Sequence, residues 1–502
     1  MSRRVLFAVL CPVVAVALVF FAAKRTKTGK PITPGPDTTV IDGPLDAAGL
    51  IDYETALNTR LKGLTTADTN AVVLLLEAIG PRPEGLHLHV DVYKWLGCPA
   101  PSDQGLYLLK SHEYFREELQ GQNQQAFLDR QGELRNRPWT AADDPKHFDW
   151  VTANEKPLAM AAEAVKRPDY FYPLIARSAD GGRVSLVGAL LPLVQRCREV
   201  AAILSLRVTL RCGEKKYDAA WQDVMTLHRL ARLMGKGATL IELLVGFAID
   251  SVARNSALRL LEAAKPTAAQ ALAWRDELAK LTPFPSLAEN VDRVARFTFL
   301  DVCQFLRRNG AEVFKILGVK GSQDSGWDAV AASLPRLDWN EVLRTGNRWF
   351  DRLVAALRKP SRAERVAALK GIDAELTDLR REPAAMDLGE RLVVLYIPAV
   401  DKINEVSDRQ EVQFQTELLA LALAAHHADH KTYPAKLSDL VPKYAASIPG
   451  DLYAGQELIY RHDADGYSLY SVGPNGADDG GRFQTDIPGG DDIGVRMPNA
   501  KK

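Results

Sequence analysis

KTYPAKLSDLVPKY (431–444), IPGDLYAGQELIYRHDADGYSLYSVGPNGADDGG (448–481) and TDIPGGDDIG (485–494) make up the stretch whose reading decides how the chain is organised. Just upstream, Phe414, Leu418, Leu421, Ala422 and Ala425 recur at helical spacing, which predicts a helix from about Ser407 to His430. Pro434 ends it, because the residue before a proline is pushed out of the helical region. Leu437, Leu440 and Val441 fit a short amphipathic turn ahead of Pro442 and the Pro449-Gly450-Asp451 loop. Glu457–Arg461 and Tyr467–Val472 alternate apolar and polar residues, the period of a strand. The link from His462 to Gly466, with glycine where a positive φ is cheap, closes them into a hairpin. Beyond the hairpin the chain is rich in Gly and Asp and too polar to pack alone.

Working outward, a chain of 502 residues exceeds one ordinary core, so two or more domains are expected. An apolar fraction of 47% with balanced charge describes folded material rather than disorder. Zero net charge and the lack of a basic stripe give nucleic acid nothing to hold. The five cysteines, Cys11, Cys98, Cys197, Cys212 and Cys303, include no CxxC pair, so they define neither a disulfide framework nor a zinc site.

At the other end, Val5–Ala23 carries no charge over about nineteen residues, a length that matches the ~30 Å hydrocarbon core of a bilayer. Phe21-Ala22-Ala23 is a poor cleavage site, so an uncleaved transmembrane anchor (residues 1–24) is expected in preference to a removed signal peptide. Basic residues are denser after the segment, which opposes an outward body. Long domains nevertheless translocate largely regardless of charge, and an extracytoplasmic body and C-terminus are the expectation. Residues 25–45, rich in Pro, Gly, Thr and Lys, read as a linker. Residues 46–317 read as an irregular helical-hairpin body and 318–406 as a second helical segment, with the C-terminal head at 407–502. In the body, a helix over Val184–Cys212 is expected to kink at Pro192, and Thr267…Gln270 and Ser286…Glu289 mark two capped helix starts. The fold class is therefore mainly α, with a small α+β head.

The order of elements in the head resembles the C-terminal part of the major pseudopilin, type II secretion system protein G. The matching residues are Tyr433-Pro434, Pro449-Gly450-Asp451-Leu452-Tyr453, Leu469-Tyr470-Ser471-Val472-Gly473, Asn475-Gly476, Gly480-Gly481, and Asp486-Ile487 or Asp492-Ile493. The resemblance implies a Ca²⁺ site in the terminal loop, built from a serine, aspartates and backbone carbonyls. It points to Ser471 and one or more of Asp478, Asp479, Asp486, Asp491 and Asp492. Asp-rich loops with glycine at the bends suit an ion that takes six to eight oxygens. Asn475 stands where the family often has Asp, and the competing reading is a solvated acidic tail.

Other constellations read as structure. Thr239–Ile249 looks like the start of a pilin helix, but Asp250, Arg254 and Arg259 interrupt it, so a buried core helix is expected. His426 and His430 are four apart without an HExxH glutamate or a third ligand. GxSxG, Walker-type and GxGxxG motifs are all absent from the sequence. The expectation is a non-enzymatic, membrane-anchored structural or interaction protein with a calcium-binding head, linked to secretion by resemblance, with envelope proteins as partners. The alternatives are an envelope hydrolase with its site in the helical body, and a helical binding scaffold.

Overall fold

A computed structural model describes residues 30–116, 123–177, 181–310, 337–382, 386–397, 400–463 and 466–498. Helices dominate, with one small antiparallel sheet near the C-terminus. The first half holds α1 (Tyr53–Lys62), α2 (Ala71–Ile79), α3 (Val90–Leu96), α4 (Ser111–Tyr114), α5 (Asn123–Asn136), α6 (Pro145–Ala153) and α7 (Glu155–Ala164). The long helices α8 (Pro192–Gly213), α9 (Tyr217–Gly235) and α10 (Leu240–Ala264) pack along one another, followed by α11 (Ala268–Ala279). Then come α12 (Leu287–Asn290), a π turn, α13 (Arg296–Asn309), α14 (Trp339–Leu357), α15 (Arg362–Arg381), α16 (Leu388–Tyr396) and α17 (Val400–His430). The sheet orders β1 (Ile459–His462), β2 (Tyr467–Ser471) and β3 (Ile493–Met497) side by side, with β2 central.

Local chemistry sets the helix starts. At α10, Thr239 Oγ1 accepts from the Glu242 amide and Glu242 Oε2 accepts from the Thr239 amide, a complete capping box. Ser361 with Glu364 and Asp387 with Glu390 repeat it at α15 and α16. Thr267 caps α11 as its spacing predicts, whereas Ser286 makes no side-chain cap bond. Pro192 does not kink a longer helix: it occupies the first turn of α8, where a missing N–H costs nothing. The helix leading into the head begins at Val400 rather than Ser407.

Among the described residues three apolar clusters form the interior, and the first and third cross the segment boundaries read from sequence. The first joins α1, α13, α14 and α16 to Ile32, Val400 and Ile403. The second lies under α2, α7, α8 and α9. The third joins α9, α10 and α11 to the far half of α17 and the sheet, with Trp221 and Trp274 stacked at 5.0 Å. The head is thus packed into the body. Residues 30–45 are no spacer either. The Lys30 amide donates to the Leu337 carbonyl at 3.0 Å, and Asn347 Nδ2 donates to the carbonyls of Asp37 and Thr38 at 3.0 and 2.8 Å. Thr38 and Thr39 are buried.

The membrane assignment is corrected by the fold: among the described residues no helix is long and apolar enough to cross a membrane. The expected anchor, Val5–Ala23, lies outside the described residues. The single-pass topology and the outward placement that rested on it are withdrawn. Among the described residues, Cys98, Cys197, Cys212 and Cys303 are free thiols.

Because Leu469 of β2 is fully buried in the core shared by head and body, Leu469→Ala is expected to cost about 2–5 kcal/mol. Near- and far-ultraviolet circular dichroism during denaturant unfolding should then give one coincident transition; separate head and body transitions would contradict the shared core.

Candidate functional site

The Gly- and Asp-rich tail folds into a loop between β2 and β3. It leaves the sheet at Val472, turns at Gly473–Gly476, and returns through Asp491 and Asp492 into β3. Gly473 has φ +66°, and a Cβ there would lie 2.1 Å from the Asp491 carbonyl oxygen. The close approach that brings the loop's two ends together therefore requires glycine.

That closure gathers three carboxylates. Asp479, Asp491 and Asp492 each present one oxygen so that all three oxygens lie within 4.8 Å of one another. The loop backbone holds them in place. Asp479 Oδ2 accepts from the Asp491 amide at 3.0 Å and from Asn475 Nδ2 at 3.2 Å. Asp491 Oδ2 accepts from the Asn475 amide at 2.9 Å, and Asp492 Oδ2 from the Gly481 amide at 2.8 Å. Asp491 Oδ1 is buried with no hydrogen-bond partner. The nearest ion-pair cation is Arg482, whose Nη2 stands 3.9 Å from Asp479 Oδ1. Partial burial, reinforced by the charge of Asp479, pushes the carboxyls of Asp491 and Asp492 above the ordinary carboxylate range. Hydrogen bonding from the Asp491 amide holds Asp479 below it.

The remaining residues that the sequence singled out lie elsewhere. Ser471 is buried under the sheet, where its Oγ donates to Asp451 Oδ1 at 2.6 Å. Asp478 accepts from the Tyr470 hydroxyl at 3.0 Å and from Arg461 Nη2 at 2.6 Å. Asp486 accepts from the Phe483 amide at 2.9 Å and from Arg496 Nη2 at 3.1 Å. Of the six, the fold brings together Asp479, Asp491 and Asp492, and commits Ser471, Asp478 and Asp486 to other partners. Asn475, an apparent departure from the pseudopilin pattern, supplies two of the hydrogen bonds that fix the triad.

Two further places carry chemistry that sequence reasoning did not assemble. His228 is fully buried, with Nδ1 2.8 Å from Asp250 Oδ1 and Nε2 3.1 Å from Glu417 Oε1. The signal was the run of charges from Asp250 onward that interrupts the apolar face of α10. A histidine between two carboxylates has the composition of a catalytic centre, but none of the three groups reaches solvent. The second place is an open cleft of about 870 Å³ between α14 and α15, lined by Arg348, Trp349, Arg352, Glu375 and Glu390 among others. Thr345 and the carboxylates of Glu375, Asp378, Glu382 and Glu390 line it beside the arginines, and Arg352 pairs with Glu375 across it. His426 and His430 stack at 4.4 Å, with Nδ1 of the first on the Thr432 carbonyl and Nε2 of the second on the Tyr444 hydroxyl.

Compared with known proteins, the chain matches no family model, no curated protein and no solved structure. The acidic loop therefore stands on its own geometry.

Gly473→Ala tests the loop closure directly. It forces a positive φ on a residue with a Cβ and drives that Cβ into Asp491, so a loss of about 1–3 kcal/mol is expected in chemical denaturation. Gly476→Ala shares the positive φ but has open space around its Cβ, and it should cost less.

Proposed function

We propose that the chain is a non-catalytic structural or interaction protein whose C-terminal head is completed by Ca²⁺ bound at Asp479, Asp491 and Asp492. The observation that carries the reading is the buried, unpartnered Oδ1 of Asp491 beside two further carboxylates. Clustering three like charges without a compensating cation costs free energy, and a hard divalent ion removes that cost. Three carboxylates supply three to six oxygens, and backbone carbonyls and water complete the six to eight that Ca²⁺ takes. Mg²⁺, which demands a stricter octahedron and sheds water reluctantly, is the poorer fit. The resemblance of the head to the major pseudopilin supports the same ion and, with it, a part in a secretion assembly. Other proteins are the partners that this role requires.

The hydrolase alternative has less support. The body's histidine–carboxylate centre is sealed from solvent, and the carboxylates of the cleft between α14 and α15 share it with arginines, Arg352 being paired with Glu375.

Thermal unfolding of the full chain in excess EDTA and in millimolar Ca²⁺ tests the reading. A ligand that binds the folded state alone adds about 2.7 kcal/mol at a hundredfold excess over its Kd, so the melting point should rise. Mg²⁺ at equal concentration should do less. Asp491→Asn should abolish the Ca²⁺-dependent rise while raising stability in EDTA, because it removes one of the repelling charges. The sign follows from the raised carboxyl pKa of Asp491: the folded state prefers the neutral form, so at neutral pH ionisation destabilises the ion-free loop. A Ca²⁺ rise that survives in Asp491→Asn would remove the site.

A further inference from the structure

We propose that His228, Asp250 and Glu417 form an alkaline-sensitive lock, in which one shared proton holds the head-bearing helix α17 on the body and its loss releases α17 with the sheet packed on it. The inference does not depend on the cation reading.

The geometry carries it. His228 sits on α9, Asp250 on α10 and Glu417 on α17, so the imidazole bridges three helices. Both ring nitrogens face carboxylate oxygens, at 2.8 and 3.1 Å. Both contacts are hydrogen bonds in two protonation patterns: an imidazolium between two carboxylates, or a neutral ring with one protonated carboxyl. Either pattern holds one proton more than a neutral imidazole and two free carboxylates. Removing that proton sets a nitrogen lone pair against a carboxylate oxygen, with no water to intervene. An unpartnered buried charge of this kind is expensive.

Charged and polar groups from each helix packed on the cluster face it. On its own helix, Arg232 Nη1 reaches Asp250 Oδ1 at 2.7 Å, and the guanidinium lies over the Phe284 ring at 4.1 Å. From α17, Gln410 Nε2 donates to Asp250 Oδ2 at 2.7 Å. Arg254 of α10 is buried beside Glu417 and Asp250, near the Tyr467 phenol of β2, and its Nη2 donates to the Gly494 carbonyl of β3. On the α8 side, Arg207 and Arg211 are taken up by Asp223. Burial alone would lower the His228 pKa, but the charges of Glu417 and Asp250 outweigh it and raise the value to about 9. The sign follows: a histidine with a folded pKa raised from 6.5 gives its full stabilisation below that value, and loses it as pH rises through about 9.

Release acts on the head because α17 carries it. The far half of α17 shares a core with β2 and β3, and Arg254 ties β3 to the same cluster. Loss of the proton loosens the far half of α17, which lies in the third apolar cluster, from α9 and α10.

Hydrogen–deuterium exchange of the full chain from pH 6 to pH 10, corrected for the intrinsic rise in exchange with pH, reads the lock. Protection in peptides covering Glu417–Ala425 and β3 is expected to fall at least tenfold across a transition near pH 9, with α2 and α7 unchanged. In Glu417→Gln the midpoint should move down by at least one pH unit, because one of the charges that hold the proton is gone. Should that variant fail to fold, ¹⁵N chemical shifts of the His228 ring in the native chain decide the matter. Both nitrogens must report a bound or shared proton at pH 7. Titration of the ring below pH 7, uniform loss of protection across the chain, or an unmoved midpoint in the variant would overturn the proposal.

Discussion

Helix α17 must satisfy two interiors at once, and much of the architecture follows from that demand. Its 31 residues span about 46 Å at the rise of an α-helix, far enough to leave one apolar cluster and enter another. Val400 and Ile403 belong to the core under α13, α14 and α16, whereas Leu419 to Ala425 belong to the core shared with α10, α11 and the sheet. A helix so placed is anchored in both interiors. This is why the C-terminal head, with a sheet of three short strands, needs no complete core of its own. Three strands with one apolar face are marginal in isolation, and here α17 provides the second layer, backed by α11.

Charge is handled in two opposite ways along this frame. Where α9, α10 and α17 meet, the buried ionic groups find partners of opposite sign: His228 between Asp250 and Glu417, and Arg232 on Asp250. Arg362 and Arg365 of α15 likewise converge on Asp408 of α17, and Arg362 stacks at 3.9 Å on Tyr453 of the head. At the loop tip the balance is reversed: three carboxylates converge with only Arg482, 3.9 Å from Asp479, in ion-pair range among the described residues, while Arg461 and Arg496 of the flanking strands attend to Asp478 and Asp486. Buried pairs specify how helices dock, and clustered acids store repulsion.

Sequence periodicity made the helices legible, because a 3.6-residue apolar stripe and a capping threonine are local signals. It also made the β1–β2 hairpin legible, through alternation around the Gly466 turn. The third strand was not legible. Ile493–Met497 reads IGVRM, too short to show alternation by itself, and it becomes a strand through pairing with β2 across the acidic loop. Residues 30–45 looked like a linker because Pro, Gly and Thr dominate them. They are ordered instead by side chains such as Asn340 and Asn347, some three hundred positions away. The candidate site was legible as a composition but not as a geometry. Six oxygen-bearing residues fitted the pseudopilin pattern, and the fold alone decides that Asp479, Asp491 and Asp492 meet while Ser471 turns inward to Asp451.

The polar centres of the molecule differ in how far they are reachable from solvent. An enzyme keeps at least one titratable group reachable and poised, and places it in a concavity that excludes competing water. Here the poised histidine is entirely enclosed, and the open cleft on α14 holds arginines already paired, such as Arg352 with Glu375 at 2.5 Å. Asp491 Oδ1, one of the buried polar atoms without a hydrogen-bond partner, lies in a loop that caps the sheet. Two residues after Asp492 in that loop, the Gly494 carbonyl accepts from Arg254 of the body. The acidic loop is thereby continuous with the junction that seats α17. The loop runs directly into β3, and Arg254 holds β3 to the same helices that His228 bridges, so loop, strand and helix junction form one connected path.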